Sequence, residues 1–276
     1  MILGVGQLVV SSGSIDEGVA LLREAGYSLR FVTPETPNAP AKKGYVREFS
    51  PGHVLASCYR QDCMSLELIN HGSQPVGTPS SMQTLWTCAP PGAEASGNVN
   101  GLEDHAAAIA EALSLGELPV AHRWGLFDTT IWVRSTRGSH APSVVAAILP
   151  VSDPVKASRV WVDAMGFRIH SRGEGSLPRW VRLGLATRVK AWSLDIVLLR
   201  ASSTPVYFLD APGFGCVTLL TTSVDRSLGA ASRAGALHVA EPFEYHNSQQ
   251  RLRIGLVRGA GGEIIELIQF GAGMKE

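Results

Sequence analysis

An order of strand, helix and three further strands recurs along this chain. A unit of that kind cannot close its own core and has to pair with a copy of itself. The last two copies are the clearest. Ser143–Val151 is an apolar run of strand length, Asp153 caps a helix, and Pro154 takes the first helical position. Val155, Val160, Trp161 and Met165 keep helical spacing as far as Gly166, which ends the helix. Phe167–His170, Arg179–Leu185 and Leu194–Ala201 then read as strands. The next copy opens with Gly215–Thr222, caps its helix with Ser223, runs it over Val224–Ala234 and stops it at Gly235. Its strands are Leu237–Ala240, Arg251–Arg258 and Glu263–Phe270, with Gly259, Gly261 and Gly262 in the last turn. The two caps, Asp153 and Ser223, lie about 70 residues apart.

A third copy stands at the start of the chain. Leu3–Val10 is a strand, Ser14 is a cap, and Asp16 and Glu17 sit in the first helical turn, where the helix dipole favours acids. Val19, Leu21, Leu22 and Ala25 form its apolar face, and Gly26 stops it. Tyr27–Val32, His53–Tyr59 and Ser65–Asn70 follow as strands, with a proline-rich loop from Pro34 to Lys43 after the first. A degenerate copy occupies residues 76–140. Thr84–Cys88 and Thr129–Ser135 are strands, Leu102–Leu115 is a helix, and Ala89–Gly101 is a loop. A boundary near Arg137–Pro142 gives two expected domains, 1–140 and 141–276.

Composition narrows the function classes. Lys plus Arg and Asp plus Glu are each 24, so the net charge is zero, and 45% of residues are hydrophobic against 17% charged. A balanced surface is poor at neutralising phosphates, so no nucleic-acid partner is expected. The chain is too apolar for extensive disorder. No apolar run approaches the ~20 residues of a membrane helix, and Ile2–Val10 lacks the features of a secretory signal. No membrane partner and a cytoplasmic location are the expectation. Cys58, Cys63, Cys88 and Cys216 show no zinc-ligand spacing and read as buried thiols, although Cys58 and Cys63 are close enough to face each other across a hairpin.

Val151–Phe167 (VSDPVKASRVWVDAMGF) resembles the strand–helix signature of the vicinal oxygen chelate superfamily, which includes glyoxalase I, bleomycin-resistance proteins, fosfomycin-resistance enzymes and extradiol dioxygenases. Gly259–Phe270 (GAGGEIIELIQF) resembles its closing hairpin, and Ser65–His71 (SLELINH) resembles its glyoxalase-like branch. The resemblance spans residues 1–75 and 143–271. It implies an α+β fold of tandem βαβββ modules, paired into cup-shaped curved sheets around a ligand. Fold does not fix function.

The resemblance also implies where a metal would bind. In metal-using members a His, Gln or Glu stands on a module's first strand, about seven residues before the helix cap, and a Glu stands on its last strand. Two modules supply three or four ligands to a divalent Fe, Mn, Ni, Zn or Mg ion. Here the first-strand positions are Gln7, Ala146 and Cys216, and the last-strand positions are Glu67, Leu198 and Glu266. Adjacency suggests that the third and fourth modules pair, which gives a cup of Ala146, Leu198, Cys216 and Glu266 with no ordinary metal site. If the first and fourth pair instead, Gln7, Glu67, Cys216 and Glu266 converge, resembling the Gln/Glu/His/Glu set of glyoxalase I with Cys in place of His.

The reading placed first is a metal-independent member that binds a small, largely apolar or aromatic molecule, serving sequestration, resistance or a proton-transfer or cyclisation step in secondary metabolism. The alternative is a divalent-metal lyase, isomerase or extradiol-type dioxygenase, so the cofactor is either none or a divalent metal. A structural role for the eroded N-terminal half is a third reading. His246 and His170 are general-base candidates beside Glu266. Trp180, Trp192 and Cys216 are candidate ligand contacts, whereas Trp161 reads as core. Edge pairing into a homodimer is a further expectation from the family.

Overall fold

The computed structural model describes residues 1–72, 75, 77–96, 102–134, 141–185, 194–201, 205–246 and 251–270. Trp192 lies outside them. Four modules follow one another. The first holds β1 (Ile2–Ser11), α1 (Ile15–Glu24), β2 (Ser28–Val32), β3 (Thr36–Pro37), β4 (Gly52–Tyr59) and β5 (Ser65–Asn70), with a 3-10 turn at Pro40–Gly44. The second holds β6 (Gln83–Trp86), β7 (Ala93–Ala95), α2 (Leu102–Leu113), β8 (Val120–Trp124) and β9 (Thr129–Val133). The third holds β10 (Val144–Val151), α3 (Pro154–Arg159), β11 (Arg168–Arg172), β12 (Trp180–Gly184) and β13 (Asp195–Arg200). The fourth holds β14 (Gly213–Thr221), α4 (Val224–Arg233), β15 (His238–Val239), β16 (Phe243–His246), β17 (Arg251–Arg258) and β18 (Ile264–Phe270).

The helix starts follow from their caps. The side chains of Ser14, Asp153 and Ser223 each accept backbone N–H bonds from the first turn of α1, α3 and α4. After Arg159 the third module's helix loosens into a π turn, Val160–Ala164, before Gly166 at φ +71° turns the chain.

The pairing suggested by adjacency of the third and fourth modules is not what forms. One sheet runs β15-β17-β18-β14-β1-β5-β4-β2 and joins the fourth module to the first. The other runs β11-β12-β13-β10-β6-β9-β8-β7 and joins the third to the second. Each middle module has a neighbour on either side, so adjacency alone favours neither arrangement. Once the second and third have paired, the first and fourth are left to close on each other through β1 and β14. Both strands are almost continuously buried, as central strands are.

The two sheets differ in what covers them. On the second sheet α3 packs against one face, where Leu149 and Leu198 are buried with Trp161. The opposite face carries Leu85, Trp132, Ala146, Ile148, Trp180, Val197 and Leu199, and α2 lies over it through Ala106, Ile109 and Ala112. The helix of the degenerate module therefore fills the second cup. Its alanines allow close approach to the strands. Cys58 and Cys63 are buried and do not form a disulfide. Among the described residues no helix is long and apolar enough to cross a membrane.

A buried carboxylate ties the third module to the fourth. Glu263 is fully buried and accepts hydrogen bonds from the Trp161 indole Nε1 at 2.9 Å and from the Gly261 amide at 2.9 Å. A side chain at Gly261 would collide with Val151, which accounts for glycine there. Glu263→Ala strands the indole N–H in the core and is expected to lower stability by about 1–3 kcal/mol, read from urea denaturation.

Candidate functional site: an acid pair, two histidines and a lysine in the first cup

The register across the first sheet places four of the sequence-predicted residues on one face. Gln7 lies opposite Thr218 and Val9 opposite Cys216 across the β1–β14 pair. On the parallel neighbours, Val9 lies beside Glu67 and Thr218 beside Glu266. A two-fold relation thus carries Gln7 onto Cys216, Val9 onto Thr218 and Glu67 onto Glu266. Each carboxylate is held by a neighbour on its first strand. Gln7 Nε2 donates to Glu67 Oε2 at 2.6 Å, and Thr218 Oγ1 donates to Glu266 Oε2 at 2.8 Å.

The second sheet repeats the geometry without the chemistry. Gln83 takes the place of Gln7 and Trp132 that of Glu67, and Trp132 Nε1 donates to Gln83 Oε1 at 2.6 Å. In the third module the positions are Ala146 and Val197, not Leu198, which faces the α3 side. One residue of register moves a side chain to the other face of a strand.

Glu67, Cys216 and Glu266 line a cavity in the first cup, together with Lys42, His53, His71 and Tyr245. Its apolar walls include Phe31, Leu55, Leu209 and Ile254. The cavity measures about 50 Å³, room for a few water-sized groups. Lys42 arrives on the Pro40–Gly44 turn, which the fourth module clamps in place. Tyr45 Oη donates to Leu256 O at 2.8 Å, and Arg258 Nη2 donates to Gly44 O at 3.0 Å. Asp210 accepts from the Arg47 amide at 2.9 Å and the Glu48 amide at 2.8 Å. The proline-rich loop of the first module is thereby a rim of the cup.

Burial dominates the electrostatics. Glu67 and Glu266 are half-buried on the cavity wall. Glu67 is pushed up to about 8, first by desolvation and then by Glu266, and Glu266 is raised by desolvation. The Cys216 thiol is raised well above its usual range by burial and by both carboxylates. Lys42, only 7% exposed, is lowered by desolvation against the pull of Glu266 and Glu67. His53 and His71 are both driven down to about 3, by burial first and Lys42 second. Nδ1 of His53 is buried with no hydrogen-bond partner among the described residues, whereas His71 lies near the Leu209 backbone and the Tyr245 hydroxyl near Thr33 and Thr36.

The other predicted residues lie elsewhere. His246 is exposed at the end of β16, on the face opposite Tyr245, which points into the cup. His170 stands on the second sheet, half-exposed and 3.9 Å from Asp195. The structure thus does not bring His246 and His170 together with Glu266. Trp180 is buried under α2 in the filled second cup. Lys42, His53 and Tyr245 carried no motif, and His71 entered only as the last residue of the Ser65–His71 resemblance. The two histidines do share the alternation of their strands, His53 with Leu55 and His71 with Glu67 and Ile69, and that period marks them as cup-facing.

The donor set fits a divalent metal poorly. A lysine amine shares the space. Among the described residues no three His, Cys, Asp or Glu side chains are disposed to hold a metal ion.

Comparison with solved structures decides the fold. The chain superposes on glyoxalase I from Zea mays with a TM-score of 0.60 at 13% identity, over 96% of this chain and 92% of that one. The chain has the vicinal oxygen chelate fold. A candidate dioxygenase from Bacillus subtilis subsp. subtilis str. 168 also superposes, with a TM-score of 0.55 at 14% identity, over 97% of this chain and 85% of that one. No family model and no curated protein matches the sequence. As a vicinal oxygen chelate fold, the molecule keeps one open cup, between its first and last modules, and has filled the other with a helix.

Proposed function

We propose that the first cup binds a small, largely apolar molecule without a divalent metal and moves a proton on it. The observation that carries this reading is the shared cavity of Lys42, Glu67 and Glu266 inside apolar walls. Apolar lining with a few convergent polar groups is the usual make-up of a small-molecule site. A carboxyl pushed up to about 8 exchanges its proton near neutral pH, as a general acid or base requires. His53, His71 and Tyr245 supply polar groups on the cavity wall that can meet a ligand's polar atoms. Such a cup serves sequestration or resistance by binding alone, and a step in secondary metabolism by proton transfer.

The alternative, a metal-dependent lyase, isomerase or dioxygenase, draws on the convergence of Gln7, Glu67, Cys216 and Glu266, and the lysine on the same cavity wall weighs against it.

Thermal shift against a panel of small aliphatic and aromatic compounds tests the reading. A ligand at a hundred times its Kd stabilises the folded state by about 2.7 kcal/mol. Leu55→Trp fills the cavity and is expected to abolish the shift. A shift that survives in Leu55→Trp places binding outside the cup and overturns the proposal.

A further inference from the structure

We infer that Lys42 is an amine nucleophile, which forms an iminium with the carbonyl carbon of a small, largely apolar aldehyde or ketone held in the first cup, while the Glu67 carboxyl relays the protons. The inference rests on the proposed small-molecule reading of that cup and names its substrate class.

Three observations carry it. Lys42 is almost fully buried and is one of the residues that line the cavity, with its Nζ 6.0 Å from the centre of the Phe243 ring. Among the described residues no carboxylate lies within ion-pair distance of that amine and no oxygen accepts a hydrogen bond from it, although Glu67 and Glu266 stand on the walls of the same cavity. A lysine placed as a structural counter-ion would be paired. Finally, the backbone of the turn that carries Lys42 is fixed, by Asn38 on the Ser50 carbonyl before it and by Tyr45 and Arg258 after it. Burial makes the Lys42 amine easier to deprotonate, against the pull of Glu266 and Glu67, and a neutral buried amine is the form that suits lysines to Schiff-base chemistry. Cys216 is the poorer nucleophile, because burial beside two carboxylates opposes the thiolate.

The step balances on residues present. The Lys42 nitrogen lone pair attacks the carbonyl carbon, and the carbonyl π pair moves to oxygen, which takes the proton of the Glu67 carboxyl. The nitrogen, now positively charged, returns one proton to that carboxylate and leaves a neutral carbinolamine. The nitrogen lone pair then forms the C=N bond as the C–O bond breaks, and the departing hydroxyl takes the Glu67 proton and leaves as water. The products are a protonated imine and a Glu67 carboxylate beside it. No oxidant or reductant enters.

Reductive trapping of the full chain tests this. The protein is incubated at neutral pH with 2-methylpropanal and sodium cyanoborohydride, and the adducts are located by peptide mass mapping. Lys43, the exposed neighbour, is the internal control. Lys42 is expected to be alkylated faster than Lys43, because burial lowers its hold on the proton and leaves more of it as free amine. Glu67→Gln is expected to slow Lys42 by about a hundredfold, the lower range for a lost general acid, and to leave Lys43 unchanged. Labelling of Lys42 no faster than that of Lys43, or insensitive to Glu67→Gln, overturns the inference. The alcohol 2-methylpropan-1-ol, which has no carbonyl, separates the two proposals. If it raises Tm in the native chain but not in Leu55→Trp while Lys42 stays unlabelled, the amine chemistry fails and the binding cup stands. If neither response occurs, both fail.

Discussion

Trp132→Ala is expected to destabilise the protein by about 3–5 kcal/mol, the range for removing a large aromatic from a packed core. Trp132 is 1% exposed and stands where the open cup has Glu67. Its ring fills the second cup beneath α2, next to Leu85, Ile109 and Ile148, and its indole N–H is satisfied by Gln83. Truncation leaves a void that the sheet is too stiff to collapse, and it leaves the Gln83 amide oxygen without its donor. Urea denaturation measures the loss. Trp132→Phe keeps an aromatic ring but loses the hydrogen bond, and is expected to cost about 1–3 kcal/mol, which keeps the comparison available if the alanine variant does not fold. Losses under about 1 kcal/mol in both would mean that α2 does not seal this face.

Glu67→Gln is expected to stabilise the protein above neutral pH. The wild-type carboxyl is raised from 4.5 to about 8 in the folded state, so folding takes up a proton between those values. The stability linked to it is fully present below about pH 4.5 and is lost as pH rises through about 8. His53 and His71 have the opposite sign. Their folded values near 3 lie below the ordinary 6.5, so their contribution is complete above about 6.5 and falls away as pH drops towards 3. Lys42, also lowered, shares the histidines' sign at higher pH. The difference between variant and wild type subtracts the two histidines, whose shifts do not depend on Glu67. In the variant, the new amide oxygen still accepts the bond from Gln7. The two proteins are expected to match at about pH 4.5 and to diverge to about 3–5 kcal/mol by about pH 8, at about 1.36 kcal/mol for each tenfold change in proton affinity. Denaturation at a series of pH values checks this, and parallel profiles would show that Glu67 ionises without penalty.

Much of the fold is legible in the sequence because its units are marked locally. Ser14, Asp153 and Ser223 cap helices that the apolar spacing already demands, and the glycines stop them. The pairing of modules is not local, since every first strand is apolar enough to sit mid-sheet. That is why Gln7, Glu67, Cys216 and Glu266 form a recognisable set only once β1 is known to lie against β14. The assignment of Leu198 to the cup failed by one residue, a register error that an all-apolar strand cannot reveal because both of its faces are buried. Lys42 was hidden for a different reason. It sits in a proline-rich loop whose position depends on Tyr45, Asp210 and Arg258 reaching contacts far away in sequence. The role of α2 was hidden as well: its apolar face signals burial but not the cup that it fills.

Metal content tests the central claim, that the first cup works through its lysine and acid pair rather than through a metal. The protein is expressed with Fe, Mn, Ni and Zn supplied and purified without chelator, and each metal is measured by plasma mass spectrometry beside Glu266→Ala. The expected result is metal far below one ion per chain, with no difference between the two proteins. One transition-metal ion per chain that disappears in Glu266→Ala would contradict it.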